Sequence, residues 1–281
     1  MRHAEFRAMG TNVMVWDAAY GAGQSVQSWF DQAEAIFSRF LPTSELTALN
    51  RSTDPAIAVT GTMAACLAAA ADLRDRTDGL VDPAVGGALI EWGYDQTFAA
   101  VADKDQSPTP SAAGDWSVHE GVVNRTPGTL LDLGGIAKGW ACDRAVEQGL
   151  ASVVSAGGDV RSSDPSTVVL IDDPWGETAL QVHLGVGGLA TSSTTRRRWR
   201  AGDDEVHHII DPRTLAPAVT PVLSATVMAA TAVAAEAGAK AVLLHGESGL
   251  AWAEQQDWID AALVVWHNGN VFATNGWEMA A

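Results

Sequence analysis

The chain has 281 residues, 47% of them hydrophobic and 18% charged, which is enough apolar side chain to bury a large core in one domain or in two intimate ones. Its formal net charge of −17, with a sequence pI near 4.6, argues against nucleic acid or an anionic membrane as a partner, because either normally needs a concentrated basic surface. Any anionic ligand must therefore meet cations gathered locally. Cys66 and Cys142 lie in apolar helical patterns without a CxxC spacing and read as reduced core residues.

The opening segment, MRHAEFRAMGTNVMVWD, enters alternating strand-like sequence with no apolar signal core and no lipid-anchor cysteine. Nowhere do about eighteen apolar residues run together. A soluble cytoplasmic protein without membrane insertion is the expectation. The eleven tryptophans are scattered and carry no functional weight as a group.

In chain order, Ser25 to Phe40 places Val26, Trp29, Phe30, Ala33, Ile36, Phe37 and Phe40 at helical spacing, with Ser25 as N-cap. An alanine-rich helix is predicted from Gly61 to Thr77, stopping at Asp78-Gly79. Ser107 to Asp115, SPTPSAAGD, reads as a surface loop or subdomain joint within a single domain of residues 1–281. Short strands are predicted at Trp116–His119, Val122–Asn124 and Thr129–Leu133, a helix after Gly139, and strands at Ser152–Ser155 and Val160–Ser162 around Gly157-Gly158. Further strands follow at Thr167–Ile171, Ala179–Leu184, Gly188–Thr191, Val206–Ile210 and Leu223–Met228, then a helix from Val233 to His245. Ala262–Trp266 and Val271–Thr274 flank Asn268-Gly269 and read as a hairpin. Hairpins and helices in mixed order point to an α+β fold with a mixed or antiparallel sheet core rather than a doubly wound parallel sheet.

Leu131 to Gly139, LDLGGIAKG, combines an apolar strand, the pair Gly134-Gly135, one lysine and a helix start. One reading is an anion site: the glycines permit positive φ and close backbone approach, the helix offers unpaired N–H groups, and Lys138 adds a charge. The other is a tight strand-to-helix turn with a solvated lysine.

LDLGGIAKGWACDRA (Leu131–Ala145), SAGGDVR (Ser155–Arg161), ATSSTTRR (Ala190–Arg197) and HHIIDPRT (His207–Thr214) resemble, in order and spacing, the signature blocks of the FAD:protein FMN transferases, the ApbE family. AMGT (Ala8–Thr11), FSRFLPTSELTALNR (Phe37–Arg51) and GLVDPAVGGALIEWGYD (Gly79–Asp95) are similar to that family's N-terminal segments. The resemblance implies a T-fold-related architecture. It also implies an enzyme that moves the FMN half of FAD onto a Ser or Thr hydroxyl of an acceptor flavoprotein, releasing AMP. A non-catalytic FAD carrier and an FAD pyrophosphatase yielding FMN and AMP are the alternatives.

That chemistry needs charge neutralisation on phosphate, a positioned hydroxyl and a proton acceptor. The resemblance assigns Lys138, Arg213 and His208 to these roles, with Gly134 and Gly135 on the phosphates. Arg213 has a second reading, a surface arginine bonding Asp211. Of Arg196, Arg197, Arg198 and Arg200, only Arg196 matches the motif. His207 adjoins His208, and neighbours on a strand face opposite ways. Flavin and nucleotide contacts are carried over to Met9, Gly10, Thr11, Glu45, Trp92, Tyr94, Ala156, Gly157, Gly158, Asp159, Thr191, Ser192 and Asp211, with Trp92 equally readable as core.

In the family, an Asp and, four residues later, a Thr on the last long helix hold Mg²⁺ together with a backbone carbonyl of the GIAKG turn. Here those positions are Glu236, Lys240 and the Ala137 carbonyl. Glutamate can ligate Mg²⁺, but a protonated lysine cannot. Either Glu236 and Lys240 pair and the ammonium stands near the cation position, or Lys240 points to solvent and the ion keeps Glu236, the carbonyl and waters.

Overall fold

The structure is a computed structural model that describes residues 3–16, 21–109, 112–172 and 179–277. Its contacts divide the chain into two compact units: Met1–Gln32, Ile136–Ser193 and Thr220–Ala281 form the first, and Ala33–Gly135 with Thr194–Val219 the second. Segment 107–115 lies inside the second unit, with 110–111 outside the described residues.

Among the described residues the α-helices are α1 (Ala22–Phe37), α2 (Glu45–Arg51), α3 (Gly61–Arg76), α4 (Gly86–Glu91), α5 (Ala137–Glu147), α6 (Ala232–His245) and α7 (Gly249–Ala253). None is long and apolar enough to cross a membrane.

The first unit is built on one sheet: β1 (His3–Ala8), β2 (Thr11–Trp16), β3 (Val153–Ala156), β4 (Asp159–Ser162), β5 (Gly187–Ser193), β6 (Val222–Ala229), β7 (Ile259–Trp266) and β8 (Val271–Ala273). Its eight strands lie side by side in chain order, every neighbouring pair antiparallel. All residues of β6 are buried, because both faces of the sheet are covered. On one face Val153, Val160, Leu189 and Met228 pack with Ile171 and Val182 of the hairpin Val168–Asp172/Ala179–His183. On the other, α5 and α6 lie across β4, β5 and β6.

The helix face is crowded by design of side-chain size. A Cβ on Gly188 of β5 would sit 2.2 Å from the Thr231 carbonyl carbon, and one on Gly139 of α5 3.0 Å from backbone atoms of Ala232. Gly238 of α6 would likewise meet Val227 Cγ1 at 2.9 Å. The run AVAAEAGAKA is thus alanine- and glycine-rich because the helix must lie this close to the sheet.

The second unit holds α2, α3, α4, the three-stranded sheet of Ala56–Ala58, Val122–Arg125 and Trp116–His119, and the hairpin Arg198–Ala201/Asp204–His207. Its apolar cluster includes Leu89, Trp92, Tyr94, Trp199, Val206 and Ile210. Arg125 is buried and donates to the carbonyls of Thr129, Leu49 and Ser52, tying three segments with one guanidinium.

Several expectations are corrected. α1 begins at Ala22, so Ser25 lies within its first turn and is not its N-cap. α3 ends as expected at Asp78 and Gly79, both at positive φ, with the Gly79 N–H bonded to the Arg74 carbonyl at 2.8 Å. Thr129–Leu133 is not a strand: its backbone partners are side chains and loops, with Leu131 clasped by the Asn50 amide at 2.9 and 2.8 Å and the Asp132 N–H bonded to the Pro83 carbonyl. Gly134 and Gly135 are absent from the positive-φ positions; Gly134 instead donates its N–H to the Asp132 side chain at 2.8 Å in a local turn. α5 starts at Ala137 rather than after Gly139. The expected strand Val206–Ile210 is broken at His208 into Asp204–His207 and Ile210–Asp211. The β7–β8 hairpin forms with only Gly269 of the pair at positive φ.

Gly188→Ala should lower the urea midpoint by the equivalent of about 1–3 kcal/mol through overpacking against Thr231. Gly87→Ala, in α4 with nothing within 4 Å of the added Cβ, should be neutral or stabilising by up to about 1 kcal/mol.

Candidate functional site

Two hairpin turns of the first unit bring separate sequence blocks together. Met9 and Gly10, at φ 51° and 70°, form the two-residue turn between β1 and β2, and Gly157 and Gly158, at 65° and 108°, form that between β3 and β4. β2 pairs with β3, so the turns are neighbours, and a Cβ on Gly157 would lie 2.7 Å from Thr11 Oγ1. Ala156 is fully buried beside them. Further along the sheet the hydroxyls of Thr191 and Thr226 are 2.9 Å apart, and Ser192 is buried.

On the helix face four charged side chains meet, three of them buried and Lys240 half-buried. Lys138, in the first turn of α5, lies 3.2 Å from Glu236 Oε1 and 3.3 Å from Asp159 Oδ2, and all three residues are buried. Lys240, one turn beyond Glu236, donates to the same Oε1 at 2.9 Å. One carboxylate oxygen thus receives two ammonium groups. Burial would raise the Glu236 pKa, but the Lys138 and Lys240 charges outweigh it and hold the group down at about 2. Asp159 is pushed up to about 7, by burial first and then by the Glu236 charge, against the pull of the two lysines. Glu236 Oε2 and Asp159 Oδ2 are buried and accept no hydrogen bond from the described residues.

Asp143 sets the geometry of this cluster from outside it. Its carboxylate accepts the N–H groups of Ala232 (2.8 Å) and Val233 (3.0 Å), capping α6 from α5, while Arg161 of β4 approaches Oδ1 at 3.5 Å and bonds the Ala230 carbonyl. No role was assigned to Asp143 from sequence. Its signal was a carboxylate set in the otherwise apolar stretch Trp140–Cys142 and Ala145–Val146 of a helix that is nearly all buried.

In the second unit, the histidine pair separates. His207 ends its strand buried, with Nδ1 accepting from the Ile209 N–H at 3.3 Å and Nε2 facing the Ala218 carbonyl at 3.1 Å, which places its proton on Nε2. His208 occupies the bend that follows, half-buried. Arg213 grips Asp211 through Nε and Nη2, at 2.9, 3.1 and 2.6 Å, and its backbone N–H adds a further bond. Partial burial alone would raise the Asp211 pKa; the Arg213 hydrogen bonds and charge prevail and lower it. Arg196 is exposed in the bend before the strand Arg198–Ala201. Glu45, at the start of α2, accepts from Thr60 N–H and Oγ1 at 2.6 and 2.7 Å and so braces the N-cap of α3. Trp92 and Tyr94 are core residues, the Trp92 indole donating to the Leu215 carbonyl at 2.9 Å. Ala137 is the first residue of α5, and Gly134 and Gly135 precede it in the second unit.

The donors around Glu236 do not suit a divalent cation. Its Oε1 is taken by two ammonium groups, Asp159 faces a third contact of the same kind, and the described residues hold no group of three or more His, Cys, Asp or Glu side chains fit for a metal.

An antiparallel sheet with paired helices on one face and glycine turns at its strand ends defines an α+β protein whose chemistry-bearing residues cluster at turns and helix starts. Residues 9–263 match the sequence profile of the ApbE family, and the chain belongs to that family. It is similar to the FAD:protein FMN transferase of Rhodobacter capsulatus, 32% identical over 72% of this chain and 42% of that protein. It is also similar to that of Treponema pallidum, 30% identical over 81% of this chain and 72% of the relative. The chain therefore spans less than half the length of the first of these two relatives. Among solved structures, the ApbE protein of Thermotoga maritima superposes with a TM-score of 0.83 at 24% identity, covering 98% of this chain and 97% of that one. The flavin transferase ApbE of Vibrio cholerae does so at 0.81 and 23%, with the same coverage. These two likenesses establish the fold.

Burial, working against hydrogen bonds from Val233 and Ala232 and the Arg161 charge, pushes the Asp143 pKa from its usual 3.8 up to about 6. A raised folded-state pKa contributes stability that is complete below the unfolded value and lost as pH rises through the folded one. Asp143 should therefore cost roughly 3 kcal/mol between about pH 4 and pH 7. In Asp143→Asn, urea unfolding across that range should show a shallower slope than the wild type, with the Asp159 contribution, of the same sign, remaining.

Proposed function

We propose that this chain is an FAD:protein FMN transferase acting as one ApbE-like domain. The observation that carries the reading is the family match over residues 9–263, which takes in every block quoted from the sequence except Ala8 at the start of AMGT. The names of the relatives support it. The hydroxyl oxygen of a Ser or Thr in an acceptor flavoprotein attacks the FMN-side phosphorus of FAD. The bond from that phosphorus to the bridging oxygen breaks, AMP leaves with that oxygen, and a phosphoester joins FMN to the acceptor.

His208 takes the hydroxyl proton. Its placement in a bend supports this role, whereas His207 has both ring nitrogens committed to the backbone. Arg213, oriented by Asp211, and Lys138, at the start of α5, supply positive charge toward the phosphates, with Arg196 as a further cation. The adjoining turns at Met9-Gly10 and Gly157-Gly158, with Thr11, offer backbone N–H groups and a hydroxyl to the nucleotide. Glu45, Trp92 and Tyr94 act on that binding by holding structure, since the Glu45 carboxylate and the Trp92 indole are hydrogen-bonded and the Tyr94 ring is packed within the unit.

Incubation with FAD and an acceptor domain, followed by intact-mass measurement and AMP analysis, tests the reading. A mass gain of one FMN with equimolar AMP is expected; bound FAD without AMP, or AMP with free FMN, would overturn it in favour of a carrier or a pyrophosphatase. His208→Ala should slow transfer by about 10²–10⁴-fold while FAD still binds. His207→Ala should act mainly through stability, lowering the thermal midpoint by removing the Ala218 and Ile209 bonds.

A further inference from the structure

We propose that in this protein a pair of lysine ammonium groups, Lys240 and Lys138, fills the cation position at Glu236, so that the site takes no divalent metal ion. For turnover the proposal rests on the transferase reading, but the occupancy of Glu236 stands apart from it. Three observations carry the argument.

The first is geometric. Lys240 lies four residues beyond Glu236 on α6, where one helical turn sets it beside the carboxylate, and it reaches Oε1 at 2.9 Å. Lys138 reaches the same oxygen from α5 at 3.2 Å. A cation bound to Oε1 at the usual Mg²⁺ ligand distance of about 2.1 Å would stand against both ammonium groups.

The second is the donor count. Two carboxylate oxygens, Glu236 Oε2 and Asp159 Oδ2, are left without a hydrogen bond, and they belong to side chains that both touch Lys138. One or two carboxylates completed by waters commonly hold Mg²⁺, but here both carboxylates already have the Lys138 ammonium at 3.3 and 3.2 Å, so a dication on either remaining oxygen would stand beside a fixed like charge.

The third is rigidity. The Asp143 carboxylate bonds two N–H groups at the start of α6, and Gly139 and Gly188 allow no added atom between that helix and its neighbours. α6 is thereby fixed against α5, which keeps Glu236 in reach of Lys138, and Lys240, one turn along the same helix, stays beside Glu236. The side-chain positive charge is built into the fold, two fixed ammonium groups replacing one exchangeable ion, and the class of ligand served is the same phosphate anion.

The test is Mn²⁺ binding by the purified protein without acceptor, read from loss of the free-ion electron paramagnetic resonance signal and from thermal shift. Wild type should leave millimolar Mn²⁺ free and its thermal midpoint unmoved, and Lys240→Thr should bind Mn²⁺ at least about tenfold more tightly than wild type. Binding by wild type at micromolar Mn²⁺, or a Lys240→Thr protein that folds and binds no more than wild type, overturns the proposal. In the transfer assay, wild-type turnover should be equal in EDTA and in Mg²⁺, and a Mg²⁺ requirement would also overturn it. Absence of transfer under every condition would sink the transferase reading and leave the Mn²⁺ result to decide this one.

Discussion

The closeness of α6 to α5 and to the central sheet is the constraint from which the first unit follows. Backbone meets backbone where Gly188 and Gly139 approach the start of α6, and any side chain at either glycine would displace the helix. Such an approach removes water from the interface, so the polar groups caught there must satisfy one another. Asp143 does this for the N–H groups of Ala232 and Val233, and Arg161 in turn faces Asp143. The alanine-rich face of α6 is the visible consequence in sequence.

Charge is handled by the same confinement. An acidic chain of net charge −17 sets one buried and one half-buried lysine against two buried carboxylates. Within that cluster the carboxylates part company: Glu236, on which both ammonium groups bear, stays ionised far below neutrality, while Asp159 is driven up toward neutral pH. Electrostatics of this kind come from who shares an oxygen with whom, and a net charge reveals nothing of it. In the second unit the corresponding arrangement is simpler, an arginine held by the carboxylate two residues before it and exposed for much of its length.

Much of the fold was legible because its signals are local. The amphipathic spacing of α1, the Asp78-Gly79 stop of α3, the strands of the meander and the Asn-Gly hairpin follow from periodicity and turn chemistry within a few residues. The failures share a cause. Thr129–Leu133 has strand composition, yet its hydrogen bonds go to Asn50, about eighty positions earlier, so composition could not show that no ladder partner exists. Gly134 and Gly135 looked like the residues needing glycine's freedom, whereas the glycine of that block constrained by packing is Gly139, against a helix nearly a hundred residues later.

Residue identity alone determined the family blocks, the lysine at position 240 where a metal-ligating hydroxyl was expected, and the presence of two adjacent histidines. Tertiary structure decided what those residues do. It turned Lys138 from a solvated helix-start cation into a buried partner of Glu236 and Asp159, committed His207 to the backbone and left His208 in the bend, and locked Arg213 onto Asp211. Sequence specifies which groups can ionise or bond; only the folded chain fixes their distances and removes their water, and the energies of charge and hydrogen bonding depend on those two quantities.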